Sequence, residues 1–204
     1  MAKLVGLFNT AHSPFCYNPP ERWNDVRGAR RLRADVPVDD LEVCRTKSGR
    51  IQQAFDVLRH KLAEAKPDVL VVFGDDQLEN FNFNNFPTFA VYVGQEFEGT
   101  LTTLANAAYD PNAPRPRATI KGQPDLAVNL LTGLMKRGFD PAFSMDMANP
   151  ERGIGHAVMR PTQSITDRNL PTVPVLLNCY YAPQVTARRA AELGRAVREV
   201  IDEY

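Results

Sequence analysis

The sequence predicts a single-domain α/β protein in which helices flank a central sheet that is mostly parallel or mixed. Two short apolar runs, residues 3–9 and 69–73, carry this prediction because strands buried on both faces are continuous apolar segments. Between them, apolar residues recur at helical spacing over 47–65, and Pro67 ends the pattern. A strand, a helix and a second strand in this order require a crossover connection, and therefore a parallel pair of strands.

The same periodicities predict the other elements of the chain. The prolines near the start of the last predicted strand indicate a sheet position where missing N–H donors are tolerated. Residues 13–50 and the proline-rich residues 109–124 are expected to be irregular. The remaining predicted elements are strands over 88–93, 143–147 and 170–177, a turn at 153–156 that leads into a further strand, and helices over 124–137 and from Val185 to Tyr204.

Composition excludes several classes of partner. The 24 basic and 24 acidic residues balance, so nothing attracts the chain to nucleic acid or to an anionic membrane. No apolar run is long enough to span a bilayer, and no signal-peptide pattern precedes the first predicted strand. Cys16, Cys44 and Cys179 form neither a disulfide nor a zinc pattern. These observations predict a cytoplasmic protein with no nucleic-acid or membrane partner.

Polar side chains follow the first two predicted strands. His12 comes after the first strand, and Asp75, Asp76 and Glu79 come after the second. Because parallel strands end at the same edge of a sheet, these side chains are expected to meet there. Three carboxylates within five residues repel one another unless a cation lies among them. The sequence therefore predicts a metal site of nitrogen and oxygen ligands, with helix capping by the acidic residues as the alternative.

The other two histidines differ in context. His156 follows the flexible Gly-Ile-Gly turn near Asp146, where it could serve as a hydrogen-bond donor or an acid/base group for a bound ligand. The alternative is an exposed turn residue. His60 lies on the polar face of the predicted 47–65 helix and is expected to be solvated and uninvolved. The basic segment 27–33 is likewise expected to be a solvated surface rather than an anion site.

With these residues in view, the chain resembles the class III extradiol ring-cleaving dioxygenases, and in particular the catalytic β subunit of protocatechuate 4,5-dioxygenase. The resemblance covers essentially all 204 residues. The segments that carry it are His12-Ser-Pro, Gly74-Asp-Asp with the later Pro87-Thr-Phe-Ala90, Gly153-Ile-Gly-His156, Pro174-Val-Leu-Leu-Asn178 and the helix from Arg188 to Ile201.

The resemblance implies a non-haem Fe(II) held by two histidines and one glutamate. Such a site leaves one face of the metal free for a catecholic substrate and for O2. His12 matches the first ligand of the family. His156 matches a pocket histidine that contacts substrate or oxygen.

The chain departs from the family pattern at two points. The family has Asn-Asp-His where this chain has Gly74, Asp75 and Asp76, so the second ligand is expected to be Asp76, with Gln77 or Glu79 as substitutes. The glutamate ligand and the acid/base histidine of the family lie downstream of the position that matches Tyr204. Residues 1–204 are therefore expected to form a β-subunit-like catalytic domain that lacks the family's C-terminal part. A site richer in carboxylates would accept Mn(II) or Mg(II) as well as Fe(II).

The resemblance, together with these two departures, implies an Fe(II)-dependent extradiol dioxygenase, with Mn(II) possible, that acts with O2 on a small catecholic or aminophenolic compound. His156 is the expected residue for orienting substrate or oxygen. The expected metal ligands are His12, Asp76 and Glu79, and the expected walls of the substrate pocket are Phe15, Tyr17 and Phe81.

Two other functional classes stay open at this point. The first is a non-catalytic relative that keeps the fold as a binding or subunit-interaction protein. The second is a metal-dependent hydrolase that uses the carboxylates to activate water. A homo-oligomer or a small partner subunit is also compatible with the sequence.

Overall fold

The central sheet has four strands with helices on both faces, in a computed structural model that describes residues 2–28, 33–100, 117–166 and 170–204. The strands in chain order are β1 (Leu70–Gly74), β2 (Phe89–Tyr92), β3 (Glu96–Thr100), β4 (Arg117–Lys121), β5 (Ala142–Ser144) and β6 (Thr172–Leu177). The helices are α1 (Pro14–Tyr17), α2 (Trp23–Gly28), α3 (Leu41–Ala65), α4 (Pro124–Lys136), α5 (His156–Ile165) and α6 (Ala187–Glu203), with a 3-10 turn at Pro20–Arg22.

The sheet is mixed, and the predicted α/β class is confirmed. Its strand order is β1-β6-β2-β5, with β1 parallel to β6 and β2 parallel to β5. The contact between β2 and β6 is antiparallel. Strands β3 and β4 form a separate antiparallel pair. None of the helices in the described ranges is long and apolar enough to cross a membrane.

The core lies on both faces of the sheet, because successive residues of a strand point to opposite sides. Val173 and Val175 of β6 belong to a buried cluster with residues of α4 and α6, whereas Leu176 belongs to a cluster on the opposite face with residues of α5. Each face buries apolar side chains that would otherwise contact water, which contributes roughly 1.5–3 kcal/mol for each large residue. The sheet is thereby a fixed frame for the loops at its edge.

Helix α3 is longer than the predicted 47–65 and begins at Leu41. The Asp40 side chain accepts a hydrogen bond from the Val43 backbone N–H, which satisfies one of the free donors at the helix start. The helix ends where Lys66 adopts a left-handed conformation (φ 46°), directly before Pro67. Aspartate caps are recognisable in sequences, and the adjacent Asp39 and Asp40 were the available signal for this boundary.

The predicted strand at 3–9 is wrong. Residues 2–13 have no regular secondary structure, and Leu4, Val5 and Leu7 are exposed. A strand forms only where a neighbour takes up its backbone hydrogen bonds, and no strand in the described part of the chain pairs with this segment. Its apolar composition was therefore not sufficient evidence of a strand.

Two segments expected to be irregular contain regular structure. Within 13–50 lie α1, the 3-10 turn, α2 and the start of α3, because Pro14 and Pro20 occupy first-turn positions where a missing N–H costs nothing. Residues 29–32 of the basic segment lie outside the described residues. Of the segment 109–124, residues 109–116 lie outside them, and residues 117–121 form β4, which pairs with β3.

The region after residue 153 also differs from the prediction. Residues 153–156 lead into helix α5, not into a strand. Strand β6 lies in the interior of the sheet, between β1 and β2, although it contains Pro174. The registered antiparallel pairs to β2 involve Val175, Leu176 and Leu177, so the missing N–H of Pro174 interrupts none of them.

Candidate metal centre

Three polar side chains from distant parts of the chain converge at the C-terminal end of β1. His12 lies just before α1, Asp75 follows β1, and His156 is the first residue of α5. One ligand atom from each of these residues lies within 4.8 Å of the other two. The rings of His12 and His156 meet edge to face, with their centroids 4.7 Å apart. This arrangement brings two imidazoles and one carboxylate together, as a transition-metal site requires.

Asp75 is buried, but its two oxygens are in different environments. Oδ2 accepts a hydrogen bond of 2.9 Å from the side-chain amide of Gln77. Oδ1 lies 3.4 Å from Nε2 of His12, and no group in the described residues gives it a hydrogen bond. Leaving a buried carboxylate oxygen unpaired is costly, so this atom is available for a cation.

Asp76, the expected second ligand, binds backbone instead. Its two oxygens accept hydrogen bonds from the backbone N–H groups of Glu79, Asn80 and Phe81 at 2.9–3.3 Å. Burial raises the pKa of Asp76 above its ordinary value, although these N–H groups oppose the shift. The contacts fix the turn after β1, which orients the side chains on either side of it.

Glu79, another expected ligand, contacts His156. Its Oε1 accepts the backbone N–H of His156 at 2.9 Å and lies 2.8 Å from Nδ1 of the same residue. Burial alone would raise the pKa of Glu79, but the hydrogen bonds and charge of His156 hold it below its ordinary value. Glu79 is therefore an ionised, buried carboxylate beside the three converging residues.

Arg160 brings a positive charge to the same region, one helical turn after His156. Its guanidinium donates to the backbone carbonyl of His12 and lies over the ring of Tyr17, 5.5 Å from the ring centroid. Burial lowers the pKa of Arg160 to about 10, so it is still protonated at neutral pH. Arg160 thus ties the His12 segment to α5.

Burial also affects His12. It lowers the pKa of His12 below its ordinary value, and the charges of His156 and Arg160 act in the same direction while Asp75 opposes them. The ring is therefore neutral at pH 7, the state in which an imidazole binds metal.

The three expected pocket residues lie in separate surroundings. Phe15 packs against Trp23 and lines a cavity of about 330 Å³, whereas Phe81 packs against Phe86 and lines a much smaller one. Tyr17 packs against Phe55, and its hydroxyl donates to the backbone carbonyl of Ala11. Neither cavity is lined by His12 or His156 in the described parts of the chain. The role of Phe15, Tyr17 and Phe81 as walls of a substrate pocket stays a prediction.

Sequence reasoning singled out His12 and His156, and the structure brings them together. It named Asp76 as a ligand, whereas the structure places Asp75 with the two histidines, because the directions of adjacent side chains are not known until the backbone is. It also missed Arg160, for which a signal existed in an arginine that interrupts the apolar run Ala-Val-Met one turn after His156. His60 is exposed, pairs with Glu64 at 3.1 Å, and does not belong to the converging group.

Three similar proteins carry the name 2,3-dihydroxyphenylpropionate/2,3-dihydroxicinnamic acid 1,2-dioxygenase. The protein of Photorhabdus laumondii is 28% identical over 151 residues, which are 74% of this chain and 43% of the relative. That of Paraburkholderia xenovorans is 30% identical over 149 residues, 73% of this chain and 42% of the relative. That of Rhodococcus jostii is 26% identical over 193 residues, 95% of this chain and 50% of the relative. The matched region thus spans half or less of each relative.

A family model also matches the chain. The match covers residues 40–204, which include α3, the whole sheet, Asp75 and His156. His12 lies outside the matched residues, but the relative from Rhodococcus jostii aligns with 95% of the chain. The resemblance stated from the sequence is confirmed at the level of the family. The chain belongs to the family described as the catalytic LigB subunit of aromatic ring-opening dioxygenase.

Proposed function

We propose that this chain carries the metal centre of an extradiol ring-cleaving dioxygenase, with Fe(II) as the metal and Mn(II) as a possible substitute. The observation that carries the proposal is the convergence of His12, Asp75 and His156, whose ligand atoms lie within 4.8 Å of one another. Nitrogen and oxygen ligands bind divalent transition metals at about 2.0–2.2 Å, so two donors to one ion are at most about 4.4 Å apart. Small side-chain adjustments would therefore bring all three onto one ion.

The donor set fits Fe(II). Two neutral imidazoles with one carboxylate are the ligands of non-haem Fe(II) oxygenases, and the unpaired Oδ1 of Asp75 has no other partner in the described residues. Charge supports the same proposal. Among the residues that the structure describes, the buried carboxylates Asp75, Asp76 and Glu79 accompany one buried cation, Arg160, and a divalent ion would offset the excess negative charge.

The proposed roles differ from the expectation in three respects. Asp75 replaces Asp76 as the carboxylate ligand, His156 is a ligand rather than a residue that only orients substrate or oxygen, and Glu79 is not in the ligand set. Bound Fe(II) would supply the means of bringing a diol and O2 into reaction. The residues of the chain would hold the metal in place. Burial keeps His12 neutral, and the contact with Glu79 fixes the orientation of His156. Arg160 holds the His12 segment in place.

The proposed substrate class is a small aromatic compound with adjacent hydroxyl groups, or with a hydroxyl and an amino group. An aromatic cluster beside the acidic turn supports this choice. Phe81 packs against Phe86, and Phe86 packs against Tyr181 with ring centroids 5.4 Å apart. Burial first, then the charges of Tyr180 and of the carboxylates Asp76, Asp75 and Glu79, raise the pKa of Tyr181. Of the expected wall residues, Phe81 is thus the best supported.

Residues 1–204 are proposed to be the β-subunit-like catalytic domain that carries these ligands. The chain spans half or less of the relatives, which are named for 2,3-dihydroxyphenylpropionate and 2,3-dihydroxicinnamic acid. The same substrate class, two adjacent hydroxyls on a ring, is the one proposed for this chain.

The test is anaerobic loading of the chain with Fe(II), followed by measurement of bound iron and of O2 uptake with a panel of catechols and aminophenols. We expect stoichiometric iron in the wild type and its loss in His12→Ala and Asp75→Asn. His60→Ala is the matched control, since His60 is exposed and is not a member of the converging group. Iron without O2 uptake would favour the non-catalytic relative. A folded protein that binds no iron would contradict the proposal.

A further inference from the structure

A single oxygen of Glu79 accepts two hydrogen bonds from one residue. Oε1 receives the backbone N–H of His156 at 2.9 Å and lies 2.8 Å from the ring Nδ1 of the same histidine. An ionised carboxylate only accepts hydrogen bonds, so Nδ1 must carry the proton. In a neutral imidazole with its proton on Nδ1, the lone pair is on the other ring nitrogen, Nε2.

The carboxylate is itself held in place. Glu79 is 6% exposed, and its backbone N–H donates to Asp76 at 3.1 Å. A Cβ at Gly155 would lie 2.8 Å from Oε2 of Glu79, so only glycine leaves room for the carboxylate. Gly155 also has a φ of +98°, which side-chain-bearing residues rarely adopt. The backbone conformation at Gly155, directly before His156, therefore accommodates the Glu79 carboxylate.

We infer that Glu79 is a positioning residue rather than a metal ligand, and that it fixes the His156 ring so that Nε2 faces His12 and Asp75. The inference rests on the proposed metal site. Hydrogen bonds of this kind, which a metal-binding histidine donates to a carboxylate, set the tautomer and the ring orientation of the histidine.

The geometry separates this role from direct ligation. The group whose ligand atoms lie together consists of His12, Asp75 and His156, and Glu79 is not a member of it in the described residues. Glu79 contacts the His156 ring through Oε1 at Nδ1, and its Oε2 has no hydrogen-bond partner in the described residues. The exposed pair His60 and Glu64 shows the contrast: Glu64 contacts Nε2 at 3.1 Å, and both side chains are at least half exposed. An exposed pair of this kind does not fix the orientation of the imidazole ring, because water competes for its hydrogen bonds.

The first measurement is the tautomer of His156 in the metal-free protein, read from nitrogen chemical shifts in NMR. The chain has three histidines, so single-histidine variants assign the signals. We expect a proton on Nδ1 in the wild type and in Glu79→Gln, whose amide oxygen still accepts. Glu79→Ala should lose this preference. The matched control Glu64→Gln should change only His60. An unchanged His156 tautomer in Glu79→Ala would overturn the inference.

The second measurement is the affinity for Mn(II) alone, for the same variants and for His12→Ala. Glu79→Ala should weaken binding roughly 10–100-fold, as is typical for loss of a group that orients a ligand. Glu79→Gln should retain most of the affinity, because the shape and the acceptor are kept. If Glu79 were a ligand, Glu79→Gln would abolish binding as His12→Ala does, which would contradict the inference.

The two measurements also separate this inference from the proposed function. A wild type that binds no Mn(II) or Fe(II), but whose His156 tautomer depends on Glu79, would remove the metal site and leave the positioning contact established. Circular dichroism of each variant checks the fold. If Glu79→Ala unfolds, the comparison of Glu79→Gln with His12→Ala still decides whether Glu79 is a ligand.

Discussion

Arg160 donates a hydrogen bond to the backbone carbonyl of His12, a residue 148 positions earlier in the sequence. The His12 segment has no regular secondary structure, whereas Arg160 belongs to a helix packed against α3 and β1. The bond therefore connects the least regular part of the site to a well-packed element. Arg160 is 6% exposed, which makes the contact stronger than an equivalent one on the surface.

Replacing Arg160 by methionine should weaken metal binding without removing any ligand. A hydrogen bond from a charged group contributes about 1.5–3 kcal/mol, so affinity for Mn(II) should fall by up to about 100-fold. Titration calorimetry measures the change. Arg59→Met is the matched control, because Arg59 donates to the backbone carbonyl of Ser164 at the far end of α5. Equal losses in both variants would refute a specific effect of Arg160.

Exchanging each aspartate for asparagine should distinguish Asp75 from Asp76. Asp75→Asn should abolish metal binding and leave the free energy of unfolding nearly unchanged, because Oδ1 has no hydrogen-bond partner in the described residues. Asp76→Asn should lower the free energy of unfolding by roughly 1–3 kcal/mol, because an amide NH2 cannot accept from the backbone N–H groups. Urea unfolding and metal titration give the two values. The opposite pattern would identify Asp76 as the ligand.

Stability should depend on the protonation of His12. Its pKa is lowered in the folded state from 6.5, first by burial, so below pH 6.5 the unfolded chain binds a proton that the folded chain does not. The free energy of unfolding should therefore fall as the pH drops below about 6.5, until the folded-state pKa is passed, and be insensitive to His12 above that pH. Urea unfolding between pH 5 and 8 measures this slope for the wild type and for His12→Asn. An equal slope in both proteins would contradict it.

A methyl group at Gly155 should lower the free energy of unfolding more than a methyl group at Gly138, another glycine with a positive φ. Gly155 has φ 98° and ψ 157°, a region essentially restricted to glycine, and the added Cβ would contact Glu79. Gly138 has φ 76° with nothing within 4 Å of a Cβ, so Gly138→Ala carries only the backbone cost of about 1 kcal/mol. We expect Gly155→Ala to be destabilised further and to lose metal affinity. Thermal unfolding and Mn(II) titration compare the two, and equal effects would count against the Glu79 contact.

The sequence predicted most of the sheet and the helices around it, since strands β1, β2, β5 and β6 are apolar runs at or near the expected positions. The prediction failed where the formation of a strand depends on a neighbouring strand. Residues 3–9 have strand composition but pair with no strand in the described ranges, and residues 117–121 lack strand composition yet pair with β3. Pairing is a property of the whole fold, so local composition cannot determine it.

The candidate site was predictable only as a set of residue types. Both histidines precede or begin helices, and glycine and proline around them indicated functional loops. The choice between Asp75 and Asp76 depends on the turn after β1. In this turn Asp76 accepts hydrogen bonds from three backbone N–H groups, whereas the side chain of Asp75 lies beside His12. Neighbouring residues point in different directions, so the conformation of this turn decides which carboxylate lies beside His12 and His156.

Helix α5 carries both His156 and Arg160, which are four residues apart and share one face. A brief local unfolding of this ten-residue helix would release His156, a proposed metal donor, and the contact of Arg160 with His12 in the same event, while the central sheet stays folded. The proposed metal site would then be lost at a free energy well below that of global unfolding. Native-state amide exchange in α5 would register this opening, and bound metal would slow it by mass action.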